Sequence, residues 1–283
     1  MKKLLSIVIA ILLVSVPVVA FGQTTDALEE LPLVSEVNEY QVVKELSTKA
    51  SSELVKMGFD DEEIRSLRNY KEIYTEYVQE LSMMSNSVLR RHGYTDEQIT
   101  ILRSFKGTEE ELILLSANLR IYASPASFNY NSGGRTTGRL AYNWEWLGIP
   151  AVKLKDIVAI TWDSWRVTGS SSYVSYYELY SGNFYTSQAA ETYYPNQLWM
   201  GAGHRFNVAK QDGYYYAKSG GGYFDIESTE YVRKDFSYYL EYGHSTVSLN
   251  VGFGVSVPGG FSGSISFIGQ VVVAGSAQGY YPM

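Results

Sequence analysis

The chain has 283 residues with 23 basic and 30 acidic side chains, a formal charge of −7, and no cysteine, which excludes a disulfide framework, thiol-ligated metals and a lipid carried on cysteine. The charge is uneven. Residues 23–122 hold 19 acidic against 11 basic side chains, residues 123–283 hold 11 against 10, and all five Trp and 19 of the 25 Tyr lie after residue 122. An acidic half and a near-neutral aromatic half make two units of different character and argue against a nucleic-acid partner.

The N-terminus reads as a signal peptide over residues 1–22. Lys2 and Lys3 precede an apolar run from Leu4 to Ala20, and Ala20-Phe21-Gly22 has the small-x-small form of a cleavage site. No second apolar stretch reaches the length of a membrane-spanning helix, so the mature chain is expected to begin at Gln23 and to be soluble and extracellular. Residues 23–37 are short, acidic and without periodicity, and are expected to be a disordered leader.

From residue 38 the pattern turns helical. Val43, Leu46, Ala50, Leu54 and Met57 recur at spacings of three and four and fall on one stripe, ending at Gly58. An internal repeat follows at an offset of 35 residues: Gly58-Phe59-Asp60-Asp61-Glu62-Glu63-Ile64 returns as Gly93-Tyr94-Thr95-Asp96-Glu97-Gln98-Ile99. Asp60 with Glu63, and Thr95 with Gln98, sit as capping boxes; Thr108 with Glu111 opens a last helix in the same way. Residues 38–122 therefore predict a helical domain of about five helices in an antiparallel array. His92, at the end of one helix, suits the negative end of its dipole.

Residues 123–135 contain Pro125, Asn129, Asn131 and Ser132-Gly133-Gly134, the composition of a linker. Beyond them the period becomes two, with Leu140, Tyr142, Trp144 and Trp146 on one face, and Val158, Ile160 and Trp162 on another. Further strand-like runs are 173–180, 198–208, 213–218, 222–227 and 236–242. The last is a hairpin: Val247, Leu249, Val251, Phe253, Val255 and Val257 alternate with Ser, Gly and Asn, Pro258-Gly259-Gly260 turns the chain, and Phe261, Ile265 and Phe267 return. With those three residues as the loop, Phe253 faces Ile265 and Val251 faces Phe267. The fold class expected is α+β in two parts, an N-terminal helical array and a C-terminal antiparallel β-sandwich over residues 136–283.

Trp144-Glu145-Trp146, then Trp162-Asp163-Ser164-Trp165, then Tyr242-Gly243-His244-Ser245 leading into a Ser/Gly-rich hairpin together resemble the C-terminal region of secreted proteins of Gram-positive bacteria without an assigned function. The resemblance covers roughly residues 138–275. It implies an extracellular bacterial setting and supplies no reaction or catalytic residue.

The common catalytic motifs are absent from the sequence: no Gly-x-Ser-x-Gly, no His-Glu-x-x-His, no phosphate-binding glycine loop and no calcium loop. Asp163, His204 and His244 are the residues for a two-His-one-carboxylate site, and Glu145, Asp163 and Glu178 for a glycosidase carboxylate pair, but no spacing brings either set together. No cofactor and no metal are expected. Tyrosine carries more information. In Tyr214-Tyr215-Tyr216 and Tyr238-Tyr239 neighbours point to opposite faces of a strand, so some phenols face outward. Tyr214, Tyr215, Tyr216, Tyr238 and Tyr239 are the candidate binding residues of a non-enzymatic protein that recognises a cell-envelope component, a glycan or a protein. The alternatives are a pore former using the 247–273 hairpin, for which 11 residues from Val247 to Val257 suffice to cross a membrane as a tilted strand, and an enzyme of unrecognised type.

Overall fold

The structure, a computed structural model, describes residues 31–56, 59–129, 135–162, 165–193, 201–228, 235–244, 254–255, 265–266 and 272–282. The signal sequence, Gly58, Asp163 and most of the 247–273 hairpin lie outside them. Among the described residues there are seven helices: α1 (Glu39–Ser47), α2 (Ser51–Lys56), α3 (Asp61–Arg68), α4 (Tyr70–Ser82), α5 (Asn86–His92), α6 (Asp96–Arg103) and α7 (Glu109–Leu115). Helices α3, α6 and α7 each begin with a complete capping box, on Asp60, Thr95 and Thr108, so local hydrogen bonding fixes where they start. Gly93 ends α5 at φ 101°, a left-handed conformation that disfavours other residues. The stripe expected to run unbroken from Val43 splits into α1 and α2, with Val43, Leu46 and Leu54 still buried.

The strands in chain order are β1 (Leu33–Asn38), β2 (Asn118–Asn129), β3 (Thr137–Leu147), β4 (Lys155–Trp162), β5 (Trp165–Glu178), β6 (Phe184–Gln188) and β7 (Glu191–Tyr193). They continue as β8 (Ala202–Asn207), β9 (Ala209–Lys210), β10 (Tyr215–Ser228), β11 (Asp235–His244), β12 (Gly254–Val255), β13 (Ile265–Ser266) and β14 (Val272–Pro282). Sheet A runs β1-β2-β3-β10-β5-β6 with β9 beside β10, sheet B runs β14-β11-β4-β8-β7, and, among the described residues, β12-β13 pair only with each other. Every pairing is antiparallel.

The two sheets share one core, as in a sandwich. Trp144 of sheet A stacks on Phe206 of sheet B at 4.9 Å, and the edge of Tyr242 meets Trp144 at 5.3 Å. A second core joins the helices to Ile149 and Tyr216 of the β part.

Four expectations need correction. The end of the leader is strand β1, paired with β2 from Asn38↔Asn118 to Leu33↔Tyr122. Helix gives way to strand at Asn118, so 118–122 are not helical and the 123–135 linker is, up to Asn129, the rest of β2. The runs 213–218 and 222–227 are one strand, β10. In the hairpin Val255 faces Ile265, a register two residues from the expected one, in which Phe253 faced Ile265.

Candidate functional site

The candidate tyrosines do not share one environment. Tyr216 is fully buried beneath the helices, where its hydroxyl meets His92 Nδ1 at 2.8 Å, and Tyr238 faces the sandwich core. Neither can touch a partner. The side chain of Tyr239 lies outside the described residues. Tyr214 and Tyr215 remain, and the structure places them in a larger aromatic rim that the sequence reading did not assemble.

The rim is built where β5 ends, β6 begins and β10 starts. Gln211 to Tyr214 form the four-residue loop between the ladder partners Lys210 and Tyr215; Gln211 and Asp212 are left-handed at φ 48° and 55°, and Gly213 N–H donates to the Lys210 carbonyl at 3.2 Å. That turn sets Tyr214 beside the loop 179–183. Leu179 N–H donates to the Tyr214 carbonyl at 2.9 Å, and Gly182 N–H to the Glu178 carbonyl at 2.8 Å. Helix α5 braces the same loop: Arg91 Nη1 donates to the Ser181 carbonyl at 2.9 Å and to Asn183 Oδ1 at 3.2 Å. Gly182 has φ 69°, and a Cβ on it would come within 2.6 Å of Arg91 Cβ, so the loop and helix meet only with glycine there.

On this frame four rings form a continuous run. Tyr180 lies 5.8 Å from Tyr214, Tyr214 meets Tyr215 edge-on at 4.9 Å, and Tyr215 stacks on Tyr185 at 3.9 Å. Tyr180, Tyr185 and Tyr214 are 62%, 46% and 41% exposed, and Phe184 beside them is 52% exposed, so these rings face solvent, while Tyr215 is half-buried and packs against the sandwich core. Glu178 sits within it. Its carboxylate accepts from the Tyr214 hydroxyl and from Ser181 Oγ at 2.6 Å, and these bonds hold it ionised and below the usual carboxylate range. Tyr180, Phe184 and Tyr185 were missed, and Glu178 was considered only as a glycosidase carboxylate, because Tyr180 and Glu178 close the strand-like run 173–180 while Phe184 and Tyr185 fall in no such run. The signal was present as Ser181-Gly182-Asn183, a turn flanked by aromatics.

The catalytic candidates separate. His204 is buried, stacked on Phe224 at 4.3 Å with Nδ1 2.5 Å from the Tyr142 hydroxyl. Burial lowers its pKa to about 4. His244 lies between two buried carboxylates, Nδ1 2.8 Å from Asp156 Oδ1 and Nε2 3.2 Å from Glu39 Oε1. Burial opposes its charge, but the two carboxylates outweigh it and raise the pKa to about 10, leaving an imidazolium with both N–H groups committed. His92, expected at a helix end as a partly protonated cap, is instead buried and neutral. Desolvation lowers it to about 4, and Nε2 reaches the Leu179 carbonyl at 2.8 Å, which fixes Nε2 as donor and Nδ1 as acceptor from Tyr216.

Glu145 accepts from the Tyr122 hydroxyl at 2.7 Å. It pairs across β3 and β10 with Ser219, while Glu178 pairs with Tyr215, four residues further along β10 on its other side. Strand spacing then separates the two carboxylates by roughly 16 Å, too far for either glycosidase geometry. Among the described residues no three His, Asp or Glu side chains are placed to hold a metal ion. Among them, too, no helix is long and apolar enough to cross a membrane.

No protein-family model matches the sequence, and no curated protein matches it. Among solved structures, the collagen-binding domain of a Staphylococcus aureus adhesin aligns with 57% of this chain and 97% of its own, at 9% identity and a TM-score of 0.28. Clostridium perfringens delta-toxin aligns over 61% and 84%, at 9% identity and 0.25. The KRT10-binding region domain of the pneumococcal serine-rich repeat protein PsrP aligns over 45% and 76%, at 11% identity and 0.22. Scores this low define no shared fold.

Proposed function

We propose that the protein is a secreted, non-enzymatic binding protein of a Gram-positive bacterium that takes a cell-envelope glycan on the aromatic rim. The observation that carries this reading is the run Tyr180, Tyr214, Tyr215, Tyr185, exposed except at the half-buried Tyr215, around the ionised Glu178. Tyrosine offers flat apolar area at low conformational cost, with a hydroxyl at its edge. A sugar ring presents the complement, an apolar C–H face and hydroxyls that a carboxylate accepts. Because Arg91 and Gly182 already hold the loop, little ordering is left for binding to oppose.

The test is binding of purified protein to a glycan array and to isolated cell walls. Tyr180→Ala, Tyr185→Ala and Tyr214→Ala are each expected to weaken binding by about 1 kcal/mol, roughly fivefold, while Tyr173→Ala, exposed elsewhere on sheet A, changes nothing. Binding to a protein-coated surface and not to glycans would transfer the rim to a protein partner. No binding to any of the three would end the reading.

A second reading rests on a different observation. Among the described residues the β11-β14 ladder ends at His244↔Val272, and the β12-β13 pair joins neither sheet. With its Ser/Gly/Asn and apolar faces, residues 245–271 would suit insertion into a lipid bilayer. Release of dye from liposomes, abolished by Val255→Lys without a change in melting temperature, would favour this reading over the first; intact liposomes would remove it.

A further inference from the structure

Among the described residues no basic side chain pairs with Glu178, the carboxylate inside the aromatic rim, whose partners are the hydroxyls of Tyr214 and Ser181. Other carboxylates of sheet A are answered by arginine: Glu145 lies 3.9 Å from Arg120 Nη1, Asp225 lies 2.7 Å from Arg139 Nε, and Glu227 pairs with Arg166. The basic residues around the rim are engaged elsewhere. Arg91 donates to the Ser181 carbonyl and Asn183 Oδ1, Lys218 Nζ donates to the Arg91 carbonyl at 2.6 Å, and the ammonium of Lys210, the ladder partner of Tyr215, lies 4.3 Å from the centre of the Tyr176 ring. The ring faces are unmatched in the same way. The chain sets a lysine or arginine over Tyr77, Tyr176, Tyr177, Tyr193 and Tyr223, but, among the described residues, over none of Tyr180, Tyr185, Tyr214 and Tyr215.

An ionised carboxylate has about four acceptor positions, of which the two hydroxyls take one each, so Glu178 keeps room for a donor from outside. The rings around it are not one flat stack: the planes of Tyr180 and Tyr214 stand 54° apart and those of Tyr214 and Tyr215 78° apart, so they present electron-rich faces in several directions. We propose that the rim selects a cationic amino sugar, the ammonium of an N-deacetylated residue lying against the faces of Tyr180 and Tyr214 with Glu178 as its counter-ion. This rests on the reading of the rim as a glycan site and adds the charge of the sugar. An ammonium brings three N–H donors to the acceptor positions that remain and a positive charge to the ring faces. An N-acetylated residue has the same sugar ring without the charge, and an acidic sugar would meet Glu178 in a chain whose net charge is −7.

The experiment titrates the full chain with the β-1,4-linked tetramers of glucosamine and of N-acetylglucosamine and with a tetralysine peptide, by calorimetry at low and high salt. The glucosamine tetramer is expected to bind about tenfold more tightly than its N-acetylated form, with salt narrowing the gap. Glu178→Gln, which keeps an acceptor for the Tyr214 and Ser181 hydroxyls, should lose that tenfold and leave the N-acetylated tetramer unaffected, at a matched melting temperature. Glu97→Gln, exposed on α6, should change neither, which separates a built site from the attraction of any polycation to an acidic chain. Equal binding of the two tetramers, both weakened by Tyr180→Ala, would overturn the proposal and leave the glycan reading of the rim in place. Equal losses in Glu178→Gln and Glu97→Gln would overturn it as well, and tighter binding of tetralysine than of glucosamine would overturn it in favour of a basic protein segment. Binding of neither tetramer nor isolated cell walls would end both this proposal and the reading it rests on.

Discussion

Tyr214 closes the loop before β10 and Tyr216 lies in that strand; they stand two residues apart, yet the first is exposed and the second fully buried. The difference lies in His92 at the end of α5, which covers Tyr216 and stops short of Tyr214. Residue parity was legible in the sequence. What packs on each side was not, because His92 and Tyr216 are 124 residues apart. The same burial sets the pH dependence. His92 and His204 are both lowered to about 4, so their neutral forms contribute stability that is complete above about 6.5 and is lost as pH falls through 4. Glu241 acts with the opposite sign: burial raises it to about 7, so its contribution is greatest in acid and is lost as pH rises from about 4.5 to 7. Denaturant midpoints measured from pH 4 to 8 should show His204→Gln flattening the fall on the acid side. Glu241→Gln should flatten the opposing slope between pH 4.5 and 7. Parallel profiles for wild type and both variants would contradict these assignments.

At the scale of the element, the helix starts were legible and one central strand was not, for the same reason. A capping box is closed by residues three apart, so Thr95 and Gln98 announce α6 wherever it packs. Ser219-Gly220-Gly221-Gly222 looks like a loop, but it is the middle of β10. Its glycines are needed by the neighbouring strands: a Cβ on Gly220 would lie 2.6 Å from the Tyr173 carbonyl and 2.7 Å from the Trp144 ring, and one on Gly221 would lie 2.1 Å from Asn143 Oδ1. Gly220→Ala should therefore cost about 1–3 kcal/mol in equilibrium unfolding, despite the better strand propensity of alanine. An unchanged or raised stability would mean that the Trp144 ring does not cross the strand there. β2 was hidden in a similar way, since Pro125 and the Asn and Ser residues around it carry turn chemistry while pairing with β3 supplies the strand.

Across the whole molecule, the helices and the sandwich are joined by buried charge as well as by apolar contact. Glu39 of α1 accepts from Ala151 N–H at 2.9 Å, from Val152 N–H at 3.1 Å and from His244 Nε2 at 3.2 Å, while Asp156 holds Nδ1 of the same imidazolium. Removing Glu39 leaves the buried imidazolium with one carboxylate in place of two and two amides without their acceptor, so Glu39→Ala should destabilise the fold by about 3–5 kcal/mol. Because His244 is raised to about 10, its contribution is complete below about 6.5 and disappears as pH rises through 10, and the variant, in which Asp156 still holds Nδ1, should weaken that alkaline dependence and shift it to lower pH. Neither contact was visible in the sequence, where Glu39 and His244 are 205 positions apart. The division of the chain into acidic and aromatic halves was visible. Its edges were not, since β1 and β2 place residues from the leader and the linker in sheet A.

The central claim, that the rim of Tyr180, Tyr185 and Tyr214 is where a partner sits, is tested most directly by tyrosine nitration read by peptide mass spectrometry, on free protein and on protein bound to isolated cell walls. In the free protein these three should react together with Tyr173, while Tyr142 and Tyr216 stay unmodified. On binding, the three rim tyrosines should become protected while Tyr173 continues to react. Firm binding with the rim still fully reactive, or with protection confined to other tyrosines, would contradict it.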